Sequence, residues 1–210
     1  ASLPWLQGDQ MDAVMNYDLS IPIWKFLEHT YDKEAFIEQL NRYLSRTPKH
    51  LIPAMFNLVS SHDTIRIKKR LDDDPRRMKL AYVLMFMSAG SPNIYYGDEV
   101  GLTGFQDPNN RLPMIWDASK QDHDMLSLMK RLITYKKTLD ATHVTDYTFI
   151  DDDALLIIKK IGPSSEILLV MNANNKEYPL PTILKDYQLL EASTNENSIL
   201  EYGFVLGVKS

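Results

Sequence analysis

Two clusters of polar side chains directly follow short apolar segments of this 210-residue chain. The first, at residues 60–64, contains His62 and Asp63, and the second contains Asp98 and Glu99. In α/β sheets ligands bind at the carboxyl ends of the strands, so polar residues at such ends are the first candidates for chemistry. Carboxylates beside an imidazole in this position could act as acids, bases or cation ligands.

These residues allow three interpretations. Two carboxylates that flank a bond, one as acid and one as nucleophile or base, are what glycoside hydrolysis requires. His62, Asp63 and Asp98 could instead bind a hard cation, although neither HExxH nor EF-hand spacing is present. In the third interpretation Asp98 and Glu99 make structural caps and ion pairs, and as neighbours on a strand they point to opposite sides. His62 and Asp63 would then be a solvated loop pair.

The segment at residues 101–117 has the length at which loops often carry functional residues. Its polar and aromatic side chains include Asp107, Asn109, Asn110, Arg111 and Trp116. Three tryptophans could offer flat faces to a sugar ring: Trp5, Trp24 and Trp116. Because the aromatic content of 10% is ordinary, most of the aromatic rings are expected in the core.

Motifs and composition exclude several classes of protein. The chain has no GxGxxG, GxxxxGK[ST] or GxSxG pattern. Its formal net charge of -5 argues against a nucleic-acid partner, and the basic residues at 66–79 are interrupted by three aspartates, which indicates local pairing on a solvated helix and loop. No apolar run reaches the roughly 18 residues of a membrane span. Without cysteine there are no disulfides, and a cytoplasmic location is expected.

Apolar and amphipathic segments alternate in the first part of the chain. The pattern predicts strands at 12–17, 54–59 and 92–96, and helices at 32–44, 75–87 and 124–139. Asp32 and Asp74 are the expected N-caps of the first two helices, and Pro75 takes the first helical position of the second. This alternation predicts parallel βα units with right-handed crossovers.

Near residue 144 the pattern changes to short strands separated by turn residues. The predicted strands are 147–150, 154–160, 166–172, 187–191 and 203–208. The predicted fold class is therefore α/β followed by all-β. Residues 1–143 would form the α/β domain and residues 144–210 a small antiparallel β-sandwich domain.

Four segments occur in the order and spacing of a known family. They are PWLQGDQMDAVMNY at 4–17, NLVSSHDT at 57–64, GSPNIYYGDEVG at 90–101 and DPNNRLPMIWD at 107–117. With these motifs the chain resembles the α-amylase family of glycoside hydrolases, and most of all its neopullulanases, cyclomaltodextrinases and maltogenic amylases. The tail resembles the C-terminal β-sandwich domain of that family.

The resemblance implies a fold and a set of site residues. The α/β part would be the last three βα units of a (β/α)₈ barrel. Asp63 would be the catalytic carboxylate that grips sugar hydroxyls and stabilises an oxocarbenium-like transition state, and His62 would hydrogen-bond to the same sugar. Asp107 and Arg111 would contact a neighbouring glucose unit. Residues 95–99 would be largely architectural.

The resemblance also implies cleavage of α-1,4-glucosidic bonds in maltodextrin, cyclodextrin or pullulan by a retaining mechanism. In the family the nucleophilic Asp and the acid/base Glu lie on the fourth and fifth strands, so the chain is expected to be an inactive C-terminal part of a longer enzyme. The alternative is a non-catalytic amylase-like scaffold or carbohydrate-binding protein. No cofactor is expected, calcium in the longer enzyme stays open, and uncovered sheet edges predict a homo-oligomer.

Overall fold

A computed structural model of the chain describes residues 3–6 and 10–209, without the side chain of residue 3. Residues 7–9 of the first family motif lie outside the described part. The chain divides into two compact units, Ala1–Thr134 and Tyr135–Ser210. The sequence-based boundary between residues 143 and 144 stays a prediction. Among the described residues, no helix is long and apolar enough to cross a bilayer.

The helices are α1 Tyr17–Leu27, α2 Lys33–Arg46, α3 Ile67–Arg70, α4 Pro75–Met87 and α5 His123–Thr138. α2 begins where the Asp32 carboxylate accepts a 2.8 Å hydrogen bond from the backbone N–H of Ala35. α4 begins with Pro75, after Asp74 accepts a 2.8 Å hydrogen bond from the Arg76 N–H. Both predicted caps are therefore confirmed, since each satisfies a donor that the first helical turn leaves unpaired.

Helix α1 corrects the sequence analysis. Residues 12–17 were expected to form a strand, but only Met15 makes a β-bridge there, and the chain turns into a helix at Tyr17. The buried side chains of Leu19, Ile23 and Leu27 recur every fourth residue, which places them on one helical face. This helical period outweighs the strand-forming residues that precede it.

The first unit has a short parallel sheet. β1 Phe56–Asn57 pairs in parallel with β2 Ser91–Pro92, and Met15 forms a parallel bridge to Phe56. The parallel direction was predicted correctly, but both strands are much shorter than expected, and residues 93–96 are not a strand. The three extended segments therefore run side by side in the same direction and enter their following loops at one edge.

The parallel segments are packed against buried side chains and approach one another closely. In α4, every side chain from Arg77 to Met87 except that of Lys79 is buried. The buried side chain of Asn57 donates to the Ala89 carbonyl at 2.8 Å, and Gly90 has a φ of 120°. A Cβ atom at Gly90 would lie 2.7 Å from Asn57 Nδ2, so the close approach of the two segments requires glycine there.

The second unit is built from antiparallel strands. They are β3 Thr148–Ile150, β4 Leu156–Ile161, β5 Glu166–Met171, β6 Tyr178–Pro179, β7 Gln188–Ala192, β8 Ser198–Ile199 and β9 Phe204–Lys209. The order in the larger sheet is β3-β4-β5-β9-β7, and β6 pairs with β8 separately. All five predicted strands are confirmed to within two residues at each end, whereas the two-residue strands β6 and β8 were not predicted.

One face of the larger sheet carries the core of this unit. Ile157, Leu168, Val170 and Val205 are buried there, and Ile199 of the small sheet belongs to the same cluster. Because side chains alternate along a strand, every second residue of the central strands points into this core. The β6–β8 pair therefore helps to close one side of the unit.

Candidate functional site

The segment after β1 forms a tight turn that is held by its own polar side chains. The backbone N–H of Asp63 donates to Ser61 Oγ at 3.2 Å, and the N–H of Ser61 donates to Thr64 Oγ1 at 3.0 Å. Tyr17 at the start of α1 contacts Ser61 Oγ at 3.1 Å. The turn is thus joined to the neighbouring segment, and its tip faces solvent.

The structure brings all four predicted site residues together in one cluster, which consists of His62, Asp63, Asp107 and Arg111. His62 Nε2 lies 3.2 Å from Asp63 Oδ2, and the two side chains are 57% and 61% exposed. Arg111 lies between the two aspartates, with Nη2 3.8 Å from Asp63 Oδ1 and Nε 3.3 Å from Asp107 Oδ1. An exposed imidazole, two carboxylates and a guanidinium at this spacing can bind several hydroxyl groups of one ligand.

Behind this surface cluster lies a buried ion pair. Arg66 Nη1 is 2.8 Å from Asp98 Oδ1, and the Tyr82 hydroxyl donates to Asp98 Oδ2 at 2.6 Å. Burial raises the pKa of Asp98, while hydrogen bonds from Ser60 and Tyr82 and the Arg66 charge favour its ionised form. Asp98 therefore anchors the interior, as the structural interpretation predicted.

Two details of the sequence analysis are corrected at this point. Asp98 and Glu99 lie in the short 3₁₀ helix Asp98–Val100 and not on a strand, so the argument from strand alternation was wrong. Asp98 also does not join His62 and Asp63 around a cation, because its oxygens are used inside the protein. The described residues contain no group of three or more His, Cys, Asp or Glu side chains that could hold a metal ion.

Arg66 connects the buried ion pair to the loop that carries Arg111. Its Nε donates to the Asn110 carbonyl at 2.9 Å and its Nη1 to the Tyr96 carbonyl at 2.8 Å. The guanidinium also stacks against Tyr95, 4.2 Å from the ring centroid. The loop is thereby fixed to the interior at the residue that precedes Arg111.

Asn110 is a residue whose role the sequence analysis missed. It lies in the 3₁₀ helix Asn109–Arg111, is 1% exposed, and donates from Nδ2 to the carbonyls of His62 and Thr64 at 2.8 and 3.0 Å. The sequence offered only its position in the DPNNR motif as a signal. The side chain of Asn110 thus contacts the backbone on both sides of Asp63.

The basic segment at residues 66–79 pairs locally only in part. Its local salt bridges, with N–O distances of 2.7 to 2.8 Å, are Lys69–Asp73, Arg76–Asp74 and Arg77–Asp72. Arg66 and Arg70 instead pair with acids far away in the chain, Asp98 and Glu28, each at 2.8 Å. The expectation that the segment is solvated was wrong for Arg66 and Arg77, which are buried. Their charges are therefore not available at the surface.

The three tryptophans have different environments. Trp24 is buried and donates from Nε1 to the Val59 carbonyl at 2.8 Å, so it is a core residue. Trp5 and Trp116 are exposed, and Trp116 has 83% of its surface accessible. Only these two indole rings are free to contact a ligand.

Comparison with known proteins places the chain in a family. Residues 1–149 match the family model described as alpha amylase, catalytic domain. The chain belongs to the α-amylase family. The match confirms the resemblance to this family that the four sequence motifs indicated.

Individual relatives of the α-amylase family agree with this. A cyclomaltodextrinase of Geobacillus thermopakistaniensis is 35% identical over 98% of the chain and 38% of its own length. An intracellular maltogenic amylase of Bacillus subtilis is 39% identical over 71% of the chain and 26% of its own length. The solved structure of a cyclomaltodextrinase superposes with a TM-score of 0.87 at 32% identity, over the whole chain and 39% of that protein. The chain thus spans well under half the length of these relatives.

Proposed function

We propose that the chain supplies the sugar-gripping part of an active site that hydrolyses α-1,4-glucosidic bonds in maltodextrin, cyclodextrin or pullulan. The observation that carries the proposal is the exposed cluster of His62, Asp63, Asp107 and Arg111. Its side chains contact one another at 3.2 to 3.8 Å and face solvent together. The names of the relatives, a cyclomaltodextrinase and a maltogenic amylase, support an α-glucan as the ligand.

Each member of the cluster has a distinct proposed role. Asp63 accepts hydrogen bonds from sugar hydroxyls and, as an anion, stabilises the positive charge that develops on the sugar ring in the transition state. His62 donates to the same sugar from the adjacent position. Arg111, which is already held by Asp107, binds the neighbouring glucose unit through its fixed fork of N–H groups.

We also propose that the first unit consists of the last three βα units of a (β/α)₈ barrel. The second unit is proposed to be a β-sandwich domain. The short parallel sheet with its covering helices and the antiparallel strands support this. In the retaining mechanism a nucleophile and an acid/base residue are needed beside Asp63. Because the family places both on strands outside these 210 residues, the chain alone is proposed to bind glucan without cleaving it.

Two further expectations accompany this function. The name of the Bacillus subtilis relative, an intracellular maltogenic amylase, supports a cytoplasmic location. The exposed side chain of Met15 on an outer segment of the parallel sheet, next to the exposed side chain of Phe56 on the central strand, supports self-association.

Calorimetric titration of the 210-residue chain tests the proposal. Maltotriose and β-cyclodextrin are expected to bind, while cellotriose, which has β-1,4 links, is not. Arg111→Ala is expected to weaken binding of maltotriose clearly, and Asp63→Asn much less, because Asp63 acts mainly on the transition state. Arg42→Ala is the matched control, because Arg42 is about as exposed as Arg111 and forms a comparable ion pair with Glu38 at 3.5 Å. Equal affinity of all variants, or no preference for maltotriose over cellotriose, would refute the proposed role.

A further inference from the structure

We infer that Asn110 is a positioning residue that holds the backbone on both sides of Asp63. By doing so, it fixes the Asp63 carboxylate and the Arg111 guanidinium in the geometry that receives one sugar ligand. The inference rests on the proposed glucan-binding role of Asp63 and Arg111. It adds a residue that does not itself face the ligand.

The contacts of the Asn110 amide define this role. Nδ2 carries two hydrogens, and it donates to the His62 carbonyl at 2.8 Å and to the Thr64 carbonyl at 3.0 Å. These two carbonyls flank Asp63 in the chain. The opposite orientation of the amide would place Oδ1 against two carbonyl oxygens, so only this orientation is favourable. Both donors are thus committed to the backbone of the turn.

Asn110 is itself anchored to the buried ion pair. Its backbone carbonyl accepts a 2.9 Å hydrogen bond from Arg66 Nε, and Arg66 is fully buried and paired with Asp98. A continuous series of bonds therefore runs from the Asp98 carboxylate through Arg66 and Asn110 to the turn around Asp63. The turn that carries the exposed Asp63 carboxylate is therefore attached to the fully buried ion pair of Arg66 and Asp98.

The next residue, Arg111, has the opposite orientation. Asn110 is 1% exposed and bonds to the turn from the inside, whereas the Arg111 side chain is half-exposed and contacts the Asp63 carboxylate from the outside. Arg111 Nε also donates to the His62 carbonyl at 3.2 Å, so both residues hold the backbone of the turn, and Arg111 contacts the Asp63 side chain as well. Any movement of Asn110 would shift both charged groups of the cluster at once.

The amide of Asn110 is used on its donor side only. Asn110 Oδ1 is buried and has no hydrogen-bond partner among the described residues. Leucine has the same branched shape, although it is larger, and it would leave the His62 and Thr64 carbonyls without the hydrogen bonds that Nδ2 donates. Unsatisfied buried polar groups are few in native proteins and are concentrated where function requires them. The donors of Asn110 explain why the polar residue is present.

Two variants of the 210-residue chain test the inference, Asn110→Leu and Asn110→Asp. Both remove the two N–H donors; aspartate keeps the size of the asparagine side chain, and leucine keeps its branched shape with a larger volume. Asn172→Leu is the matched control, because Asn172 is also buried and donates from Nδ2 to two carbonyls, Lys176 O at 2.7 Å and Leu200 O at 2.9 Å. Asn172 lies in the second unit, so its loss removes the same kind of bonds from another part of the chain.

The readouts are the amide hydrogen-exchange rates of Asp63 and Thr64 by NMR, the dissociation constant for maltotriose, and the melting temperature. Both Asn110 variants are expected to exchange these two amides roughly tenfold faster and to bind maltotriose roughly tenfold more weakly. Asn172→Leu is expected to lower the melting temperature without either effect. The Asn110 variants share the loss of donors but differ in polarity, so agreement between them assigns the effect to the donors.

The inference is overturned if the Asn110 variants lower only the melting temperature, or if Asn172→Leu has the same local effects. Loss of cooperative folding in both Asn110 variants would also overturn it, since the residue would then be required for the fold and not for the position of the turn. If the unaltered chain fails to bind maltotriose, the proposed function fails, and the exchange rates alone decide whether Asn110 holds the turn.

Discussion

Arg66 and Asp98 form an ion pair with an N–O distance of 2.8 Å, and neither side chain is exposed to solvent. The pair joins the segment that follows β1 to the segment that follows β2. Arg66 also bonds to the carbonyls of Tyr96 and Asn110, so a single buried side chain connects three stretches of the chain. These contacts make Arg66 a determinant of both stability and site geometry.

Replacement of Arg66 by methionine is expected to destabilise the chain strongly. The Asp98 carboxylate would remain buried without its partner, and breaking a buried pair from one side typically costs about 3–5 kcal/mol. Arg42→Met is the control, since its exposed ion pair with Glu38 contributes less than about 1 kcal/mol. Urea denaturation measures both changes. A loss for Arg66→Met no larger than that of Arg42→Met would contradict the structural account.

The second unit is expected to become more stable as the pH rises above neutrality. Burial lowers the pKa of Lys136 to about 8 from its ordinary value of 10.5, and burial with the nearby Lys136 charge lowers the pKa of Lys160. Both ammonium groups donate to the Thr142 carbonyl at 3.1 Å, and Lys160 lies over the Tyr147 ring. Between the folded-state pKa of Lys136, about 8, and its ordinary value of 10.5, the unfolded chain binds more protons than the folded chain. The free energy of unfolding therefore increases with pH in this range.

The slope from Lys136 is at most about 1.4 kcal/mol per pH unit between roughly pH 8 and 10. Lys136→Met is expected to reduce this slope. Lys137→Met is the control, because Lys137 is the next residue in the chain and its side chain is exposed. Urea denaturation at a series of pH values gives the comparison. Identical slopes for the two variants would show that burial of Lys136 does not couple to folding.

Local signals in the sequence explain which elements could be predicted. The caps at Asp32 and Asp74 and the helical periods that follow them act over a few residues, and both helices occur as expected. The strands of the second unit likewise carry their own alternation and turn residues. The parallel strands are different, because pairs such as Phe56 with Ser91 depend on contacts between residues far apart in the chain. Their length could not be deduced locally.

The same distinction applies to the site. His62, Asp63 and Arg111 could be predicted as site residues because their motifs are contiguous in the sequence, and the structure places them side by side. Arg66 was counted with a solvated basic segment, because its burial depends on Asp98, which lies in a distant segment. The role of Asn110 was missed for the same reason, since the carbonyls that it binds belong to another loop.

The 210-residue chain is expected to release no reducing sugar from starch, pullulan or β-cyclodextrin. The proposed nucleophile and acid/base residue are not among its residues, and a sugar-gripping carboxylate cannot replace them. A reducing-sugar assay with a protein-free blank measures this. Release above the blank that disappears in Asp63→Asn would show that the chain holds a complete active site.

Self-association of the isolated chain is also expected. Met15 lies on an outer segment of the parallel sheet, and Phe56 lies beside it on the central strand. Both side chains are exposed, and a sheet edge with neighbouring apolar side chains favours contact with a second copy. Sedimentation velocity over a range of concentrations tests this, with Phe56→Lys expected to shift the distribution toward monomer. A strict monomer at the highest concentration would contradict the expectation.

The most direct test of the proposed role of Asp63 uses a chimera in which these 210 residues replace the matched segment of the Geobacillus cyclomaltodextrinase. Asp63→Asn is expected to lower kcat and kcat/KM together, by several hundred-fold to a thousand-fold, because a lost contact to developing charge costs about 3–4 kcal/mol. Arg111→Ala is expected mainly to raise KM for maltotriose, and Arg42→Ala to change neither constant. A near-normal kcat in Asp63→Asn, with activity abolished in Arg111→Ala, would contradict the roles assigned to the two residues.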